Sequence, residues 1–286
     1  MNRIDVTLRT LSQRGETAFI GLAPISPNSM DESIEIGKML VESGVDILMI
    51  HLPNFMPWME GTVLQTAARL PRNAGVTRHQ VFEFAGEMRK LYPDLPLIIM
   101  TLFDTVMTVG MDEFLRLSEE MDIDGFDIPN YPLSYLGDAP GFYRRTLEMK
   151  RHLILAISYE LATSREGTRE YELLTEIVEN SRGFSFVMNA PGGQSGSSIK
   201  LSGEQLKAAV QRTQSLLCQA NNPSGIAVVC GISGPEDIAK VRASGAESFM
   251  IGSAYIKTLL EGSSLGSVSN YIRSIKALTY PGGGSN

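Results

Sequence analysis

The sequence of 286 residues has few cysteines, no long apolar run and no excess of positive charge. Its two cysteines cannot build a disulfide framework, and Cys230 lies in an apolar run, as expected for a buried thiol in a reducing cytoplasm. No stretch reaches the roughly 18 uncharged apolar residues that a membrane helix needs. Residues 1–16 carry several charges and no apolar centre, so no signal peptide is predicted. We therefore expect a cytoplasmic protein with no membrane partner.

The scarcity of positive charge also bears on the partners. Lys and Arg number 25 against 32 Asp and Glu, which gives a formal net charge of −7. An extended nucleic-acid surface needs a cationic face, so no nucleic-acid partner is expected. A local anion site stays open, because backbone N–H groups bind phosphate without any net charge. The hydrophobic content of 43% is typical of a globular protein and excludes a disordered chain.

Eight short apolar runs recur along the chain, and a longer segment with helical spacing follows each of them. The runs are nearly unbroken, as expected for parallel strands that are covered on both faces. This alternation predicts an α/β protein, a parallel eight-stranded (β/α)8 TIM barrel, with a doubly wound open sheet as the alternative. One domain is predicted over residues 1–286, with 281–286 as a flexible tail. The predicted strands are Ala18–Leu22, Ile47–Ile50, Leu97–Thr101, Gly125–Ile128, Leu153–Ile157, Phe184–Met188, Ile226–Val229 and Ser248–Ile251.

The segments between these runs have the apolar spacing of helices. Thr77 is a predicted N-cap, and Pro235 and Gly245 stand just inside the start and just past the end of one helix. The predicted helices are Asp31–Ser43, Thr77–Leu91, Met111–Met121, Phe142–Arg151, Arg169–Glu179, Gly203–Cys218, Pro235–Ala243 and Ala254–Leu260.

Glycine-rich turns follow the last three predicted strands, where a barrel carries its active-site loops. Glycine lets backbone N–H groups approach an anion closely, and a helix that opens at Ser253 would direct its N–H groups toward that anion. Three adjacent turns of this kind predict a phosphate site. Ordinary tight turns are the alternative, and FMN, which carries a phosphate of its own, stays open on these loops alone. The predicted phosphate ligands are Gly192, Gly193, Gly231, Gly252 and Ser253.

These loops resemble those of the tryptophan synthase α subunit, and the resemblance covers nearly the whole chain. Residues 15–20 look like the family's first strand, and residues 46–61 resemble its strand-two signature Leu-Glu-Leu-Gly-Val-Pro-Phe-Ser-Asp-Pro-x-Ala-Asp-Gly-Pro. Residues 231–236 and 251–254 resemble its phosphate loops. The resemblance implies a TIM barrel of tryptophan biosynthesis that cleaves indole-3-glycerol phosphate to indole and glyceraldehyde 3-phosphate in a retro-aldol-type reaction.

The sequence departs from that family at the centre of the site. There, a Glu in strand two and an Asp in the following loop act as acid and base, and loops after strands two and six close over the substrate. Met49 stands at the position of the Glu, and a thioether exchanges no proton at neutral pH. Glu60 stands at the position of the Asp. Gln194 replaces a Thr of the strand-six loop, and Met56 replaces an Asp that faces the β subunit.

Three further side chains are candidates for the missing acid–base group. His51 lies on the same side of its strand as Met49, where the family has Gly. Asp127 stands between apolar neighbours on strand four, where the family usually has a Leu at the indole ring, so desolvation would raise its pKa toward the useful range. Asp104 follows strand three. The predicted catalytic residues are Asp127, Glu60, His51 and Asp104.

Each candidate also has a structural interpretation. His51 could bond a backbone carbonyl, Asp127 could cap a turn, and Asp104 could make a structural bond in its loop. The thioethers near the strand ends are adaptable core filling or, alternatively, a pocket reshaped for something other than a flat indole. The three histidines have no metal-ligand spacing, so no metal and no cofactor are predicted. The predicted pocket residues are Met49, Met100, Phe186, Met188 and Gln194.

Three functions remain as hypotheses. The first is a lyase of specialised metabolism that cleaves indole-3-glycerol phosphate or a related phosphorylated substrate with relocated acid–base residues. The second is a different phosphate-substrate barrel enzyme, an isomerase or a transferase. The third is a non-catalytic α-like subunit that binds a phosphorylated ligand and regulates a partner. A new Asp and a new His at strand ends favour chemistry. The expected partners are the phosphorylated substrate and a β-type subunit or a second copy, although Met56 weakens pairing with an ordinary β subunit.

Overall fold

The computed structural model describes residues 1–54, 56–131, 141–191 and 199–281. Its strands are all paired in parallel within these residues. Nine strands form one sheet in the order β5-β4-β3-β2-β1-β9-β8-β7-β6. Nearly all strand residues are buried, as their apolar sequences require. The strands are β1 (Ala18–Ala23), β2 (Ile47–His51), β3 (Leu97–Met100), β4 (Gly125–Asp127), β5 (His152–Ile154), β6 (Ala156–Ile157), β7 (Phe184–Met188), β8 (Gly225–Val229) and β9 (Ser248–Ile251).

The two edges of this sheet are joined by the chain itself. β5 and β6 are the two edge strands, and only Leu155 separates them in sequence. The N–H of Leu155 donates to the hydroxyl of Ser181 at 3.4 Å, so pairing with β4 ends here and pairing with β7 begins. The barrel is therefore nearly closed, and the predicted TIM-barrel fold is confirmed. The predicted fifth strand, Leu153–Ile157, is divided into two strands at Leu155.

The helices cover the outside of the barrel and include all eight that the sequence predicts. Thr77 forms a capping box with Gln80, which confirms it as an N-cap. The predicted helix Phe142–Arg151 is too long, because Lys150 adopts a left-handed backbone with φ of 56° after the helix ends. The helices are α1 (Arg3–Gln13), α2 (Met30–Glu42), α3 (Thr62–Asn73), α4 (Arg78–Leu91), α5 (Phe103–Val109), α6 (Met111–Glu120), α7 (Phe142–Glu148), α8 (Tyr159–Ala162), α9 (Arg169–Asn180), α10 (Gly203–Gln219), α11 (Pro235–Ser244), α12 (Ser253–Leu260) and α13 (Leu265–Ala277). None of these described helices is long and apolar enough to cross a bilayer.

A buried carboxylate, that of Asp124, lies at the start of β4. Asp124 accepts hydrogen bonds from Arg3 at 2.9 Å and from Arg89 at 2.6 Å. It also accepts the backbone N–H of Leu97 at 2.9 Å. These three bonds tie α1, α4 and β3 to the start of β4. Because the charge is paired with cations and hydrogen-bonded, its burial is compensated.

Candidate active site

The C-terminal ends of β2, β3 and β4 place three side chains in one row of the barrel. Parallel pairing sets His51 opposite Met100 and Met100 opposite Asp127. The C-terminal face is where barrels of this kind carry their active sites. Met49 lies one layer deeper, paired with Leu22 and Ile98, and is fully buried. The row thus brings two of the predicted catalytic residues to the mouth of the barrel.

A cavity opens at this end of the barrel, with largely apolar walls. The predicted pocket residues Met100, Phe186 and Met188 line it, together with the thioethers of Met59 and Met250. Gln194, the remaining predicted pocket residue besides Met49, lies outside the described residues. Two of the predicted acids, Glu60 and Asp127, also face this cavity. The arrangement presents two carboxyl groups to a cavity whose walls are otherwise mostly apolar.

Glu60 is the more strongly hydrogen-bonded of these two carboxyl groups. Its Oε1 accepts from His51 Nε2 at 2.9 Å and from Asn54 Nδ2 at 2.5 Å. All three residues are buried, with exposed fractions of 5% or less. His51 therefore bonds a carboxylate and not the backbone carbonyl that its structural interpretation proposed. Glu60 Oε2 and His51 Nδ1 are buried without a hydrogen-bond partner among the described residues.

The surroundings of Glu60 keep it ionised. Burial by itself raises the pKa of this carboxyl group. The charge on His51 and the hydrogen bonds from His51 and Asn54 outweigh that effect and hold the pKa below its ordinary value of 4.5. A carboxylate with a free oxygen at an apolar cavity can accept a proton from a bound molecule.

Asp127 has the opposite environment. Its Oδ1 is buried with no hydrogen-bond partner among the described residues, and its side chain faces the cavity. Burial raises the pKa of Asp127 from 3.8 to about 8. The predicted rise is thus supported by the local geometry, and no turn is capped by the orphaned oxygen. A carboxyl group that stays protonated at neutral pH can donate a proton or a hydrogen bond to a ligand.

Asp104 stands apart from this pair. It is the second residue of α5, and its Oδ1 is buried without a partner in the described part of the chain. The residues that line the cavity come from neighbouring positions, Thr101 and Leu102, and do not include Asp104. A catalytic role for Asp104 stays a prediction.

The predicted phosphate ligands lie after two adjacent strands. Gly231 follows β8 with a φ of 72°, a conformation that favours glycine, and Ser253 opens α12 after β9. No side chain of the described residues caps α12, whose N-cap is Gly252. A Cβ at Gly252 would lie 3.0 Å from the Leu22 side chain, so tight packing against β1 also favours glycine there. Gly192 and Gly193 lie outside the described residues.

The architecture agrees with comparisons to known proteins. A sequence model of the family described as tryptophan synthase alpha chain matches residues 8–277. The chain belongs to the tryptophan synthase alpha chain family. The alpha chain of Aquifex aeolicus (strain VF5) is 26% identical over 257 residues, which is 90% of this chain and 91% of that one. The alpha chain of Methanosarcina mazei is 27% identical over 260 residues, covering 91% and 88%.

Solved structures of tryptophan synthase share this barrel. The alpha subunit from Legionella pneumophila superposes with a TM-score of 0.80 at 22% identity, over 96% of this chain and 97% of that chain. A chain of Mycobacterium tuberculosis tryptophan synthase gives a TM-score of 0.81 at 20% identity, over 98% and 99%. These likenesses show a common fold, and the family that the loop pattern predicts is confirmed.

Three residues of this family member's site were missed by sequence reasoning. Asn54 bonds Glu60, and Cys230 lines the cavity with a left-handed φ of 70°. Burial, and then the charge of Asp127, raise the pKa of the Cys230 thiol to about 12, so it stays a thiol. Lys200 lies against Gly231 and binds both carboxylate oxygens of Asp237, at 2.9 and 2.8 Å. Asn54 is a polar residue shortly after the apolar strand β2, but that pattern alone does not reveal the bonds that its side chain makes.

The described residues contain no group of three or more His, Cys, Asp and Glu side chains that could hold a metal ion.

Proposed function

We propose that this chain is a carbon–carbon lyase of the tryptophan synthase alpha type with relocated acid–base residues. Its substrate is indole-3-glycerol phosphate or a related phosphorylated molecule, and the cleavage is of the retro-aldol type. Asp127 and Glu60 exchange protons with the substrate, and His51 supports Glu60. Asp104, which lies off the cavity, has a weaker claim to a catalytic role.

One observation carries this proposal. Glu60 and Asp127 face the same cavity, and their pKa values are shifted in opposite directions, below 4.5 for Glu60 and to about 8 for Asp127. At neutral pH one group is therefore a base and the other an acid. Enzymes separate two carboxyl groups in this way when one must accept a proton while the other donates one.

Retro-aldol cleavage needs such a pair. The ionised Glu60 accepts the proton of the glycerol hydroxyl group, whose oxygen becomes the carbonyl of the aldehyde product. The electron pair of the breaking carbon–carbon bond stays with carbon three of the ring. The protonated Asp127 supplies the proton that this carbon needs. The apolar walls around Met100 and Phe186 would accept the ring and exclude water from it.

The phosphate group of the substrate would lie at the turns after β8 and β9. The backbone N–H groups of Gly231, Gly252 and Ser253 stand at the C-terminal face, and the helix that begins at Ser253 contributes its positive end. Gly192 and Gly193 complete the proposed set. This arrangement would leave the glycerol chain between the anion site and the two carboxyl groups.

Indole release from indole-3-glycerol phosphate tests this proposal. We expect turnover about 10²–10⁴-fold slower than that of an alpha chain that keeps the strand-two glutamate, because Met49 supplies no proton transfer. We also expect the residual activity to fall by a further 10²–10⁴-fold, roughly, in Asp127→Asn. Activity equal to that of the glutamate-bearing chain would show that the replacement of the glutamate by Met49 does not slow turnover. No release above an enzyme-free blank would exclude indole-3-glycerol phosphate as the substrate.

A further proposal concerns the partner, for which a β-type subunit is the candidate. The side chains of Met56 and Trp58, in the loop after β2, are each 63% exposed. Two large apolar side chains exposed this close together in sequence favour a contact with another protein. Met56 offers an apolar contact in place of the family's carboxylate, so we expect a tryptophan synthase β chain to form a complex in analytical ultracentrifugation that is weaker than that of an alpha chain with the aspartate. We expect Trp58→Ser to weaken it further. A chain that stays monomeric beside a β chain would contradict this partner.

A further inference from the structure

We propose that Asn54 is a positioning residue that determines which oxygen of Glu60 faces the cavity, while it fastens the loop after β2 to β3 and α5. This inference rests on the proposed function, in which Glu60 touches the substrate. It is separable from that function, because the orientation and protonation of Glu60 can be measured without turnover.

The carbonyl oxygen of Asn54 fastens the loop. Oδ1 accepts the Thr101 hydroxyl at 2.8 Å, the Leu102 backbone N–H at 2.7 Å and the Thr105 hydroxyl at 3.1 Å. These donors belong to the end of β3 and the start of α5. One amide oxygen thus joins the loop that carries Glu60 to the next strand–helix unit.

The same bonds fix the orientation of the amide. A backbone N–H group can only donate, so the atom that faces the N–H of Leu102 must be the oxygen of Asn54. The amide nitrogen must then point the other way, toward Glu60 Oε1 at 2.5 Å. Asn54 is 1% exposed, so an amide whose hydrogen bonds were lost here would bear the full cost of its desolvation. A flip of the side chain is therefore strongly opposed.

The nitrogen of Asn54 and the imidazole of His51 both donate to Oε1 of Glu60. The second oxygen, Oε2, has no partner among the described residues. The backbone of Glu60 is held as well, because Gln65 Nε2 donates to its carbonyl oxygen at 2.7 Å. With one oxygen occupied by two donors and the main chain fixed, Oε2 is the oxygen left to meet a ligand.

The variant Asn54→Asp separates the role of the amide oxygen from that of the amide nitrogen. It keeps the oxygen that binds Thr101, Leu102 and Thr105, but it places a second oxygen where the donor to Glu60 stood. Two carboxyl groups this close share one proton, and the upper pKa of the pair is raised. At acid pH the shared proton restores the donor. At higher pH it is lost, and the two carboxylates repel each other.

We expect kcat of Asn54→Asp to equal that of the wild type at acid pH and to fall by more than about tenfold as pH rises through the upper pKa of the pair, with little change in KM. Carboxyl-carbon NMR, assigned with Glu60→Gln, should show a raised pKa for Glu60. Asn130→Asp is the matched control, because Asn130 Oδ1 also accepts a backbone N–H, that of Phe103 at 2.7 Å. This control should leave the pH profile and the Glu60 resonance unchanged.

The outcomes are distinct. A wild-type kcat profile together with a wild-type pKa of Glu60 in Asn54→Asp would overturn the positioning role. A raised pKa of Glu60 with no indole release from either protein would support the positioning role and contradict the proposed function. If Asn54→Asp fails to fold, the less charged Asn54→Ser takes its place. It keeps a short side-chain oxygen but cannot reach Glu60, and unchanged Glu60 pKa and kcat in that variant would again overturn the role.

Discussion

Two aspartates at the opposite ends of β4 lie in opposite environments. Asp124 directly precedes the strand and Asp127 ends it, and both are buried, with exposed fractions of 1% and 5%. Asp124 is bonded by Arg3, Arg89 and the N–H of Leu97. Asp127 has an oxygen with no partner among the described residues. Burial is thus compensated at the N-terminal end of the barrel and left uncompensated at the C-terminal end.

This difference separates the stabilising end of the barrel from the reactive end. A buried charge without a partner costs several kcal/mol, so a fold under selection for stability alone would pair it or remove it. Asp127 avoids the full cost because it is protonated, at a pKa of about 8. An orphaned acid beside a ligand cavity is typical of a functional site, whereas a paired one is typical of structural support.

The strongest test of this comparison is Asp127→Asn. We expect indole release, or turnover of the native substrate, to fall by about 10²–10⁴-fold, because an amide of the same shape cannot transfer a proton. Affinity for inorganic phosphate should not change, since the turns at Gly231 and Ser253 are untouched. Steady-state kinetics and calorimetry measure the two quantities. Full activity would make Asp127 a structural residue and would favour a non-catalytic α-like subunit.

The stability of the same variant has its own pH dependence. The folded protein keeps a proton on Asp127 up to about pH 8, while the unfolded chain releases it near 3.8. The wild type therefore loses stability as pH rises between these values, and the Asp127→Asn variant does not. The quantity to compare is the free energy of unfolding of Asp127→Asn minus that of the wild type. We expect this difference to be larger, in favour of the variant, at pH 8 than at pH 5. Equal differences at both pH values, in urea titrations, would mean that Asp127 is solvated or paired.

Asp124→Asn provides the opposite result at the other end of the strand. Removing the carboxylate leaves Arg89, whose side chain is 11% exposed, without its buried counter-ion. We expect a loss of about 3 kcal/mol in free energy of unfolding, with kcat within about twofold of wild type while the protein is folded. Urea denaturation and indole release measure the two effects. A turnover loss as large as that of Asp127→Asn would show that the two ends are not independent.

The sequence predicts the barrel well because its strands are apolar on both faces, a pattern that needs no knowledge of neighbours. The division of strand five is different. Leu155 is as apolar as the residues beside it, and the break follows from its N–H, which donates to Ser181. The helix α1 was missed for another reason. Only Ile4 and Leu11 of it are buried, so its sequence looks like a charged segment.

The site divides in the same way. Asp127 was predictable because a carboxylate in an apolar strand is a local anomaly. Asn54 was not, because its role depends on Thr101, Leu102 and Thr105, which lie 47 to 51 residues further along the chain. Local chemistry therefore identifies the acid, and only the tertiary structure identifies the residue that orients its partner Glu60.

The smallest predicted effect sharpens the comparison at the phosphate end, where backbone groups and not side chains are proposed to bind. Ser253→Asp places a negative charge on the first residue of α12, beside the anion. We expect affinity for inorganic phosphate to fall by more than about tenfold, about 1.4 kcal/mol, when measured by calorimetry. An acid in the first turn of a helix contributes about 0.3–1 kcal/mol of stability, so the protein should melt no earlier.

Ser253→Asn is the matched control for this charge, because asparagine has the size of aspartate but carries no charge. A neutral amide does not repel the anion, so phosphate affinity should stay within about threefold of wild type. That is well below a tenfold change, which corresponds to about 1.4 kcal/mol. An equal loss in both variants would mean that bulk, not charge, disturbs the turn after β9. Unchanged phosphate affinity in Ser253→Asp would mean that the N-terminus of α12 is not part of the phosphate site. Of the proposed mechanism, only the roles of Glu60 and Asp127 would then keep support.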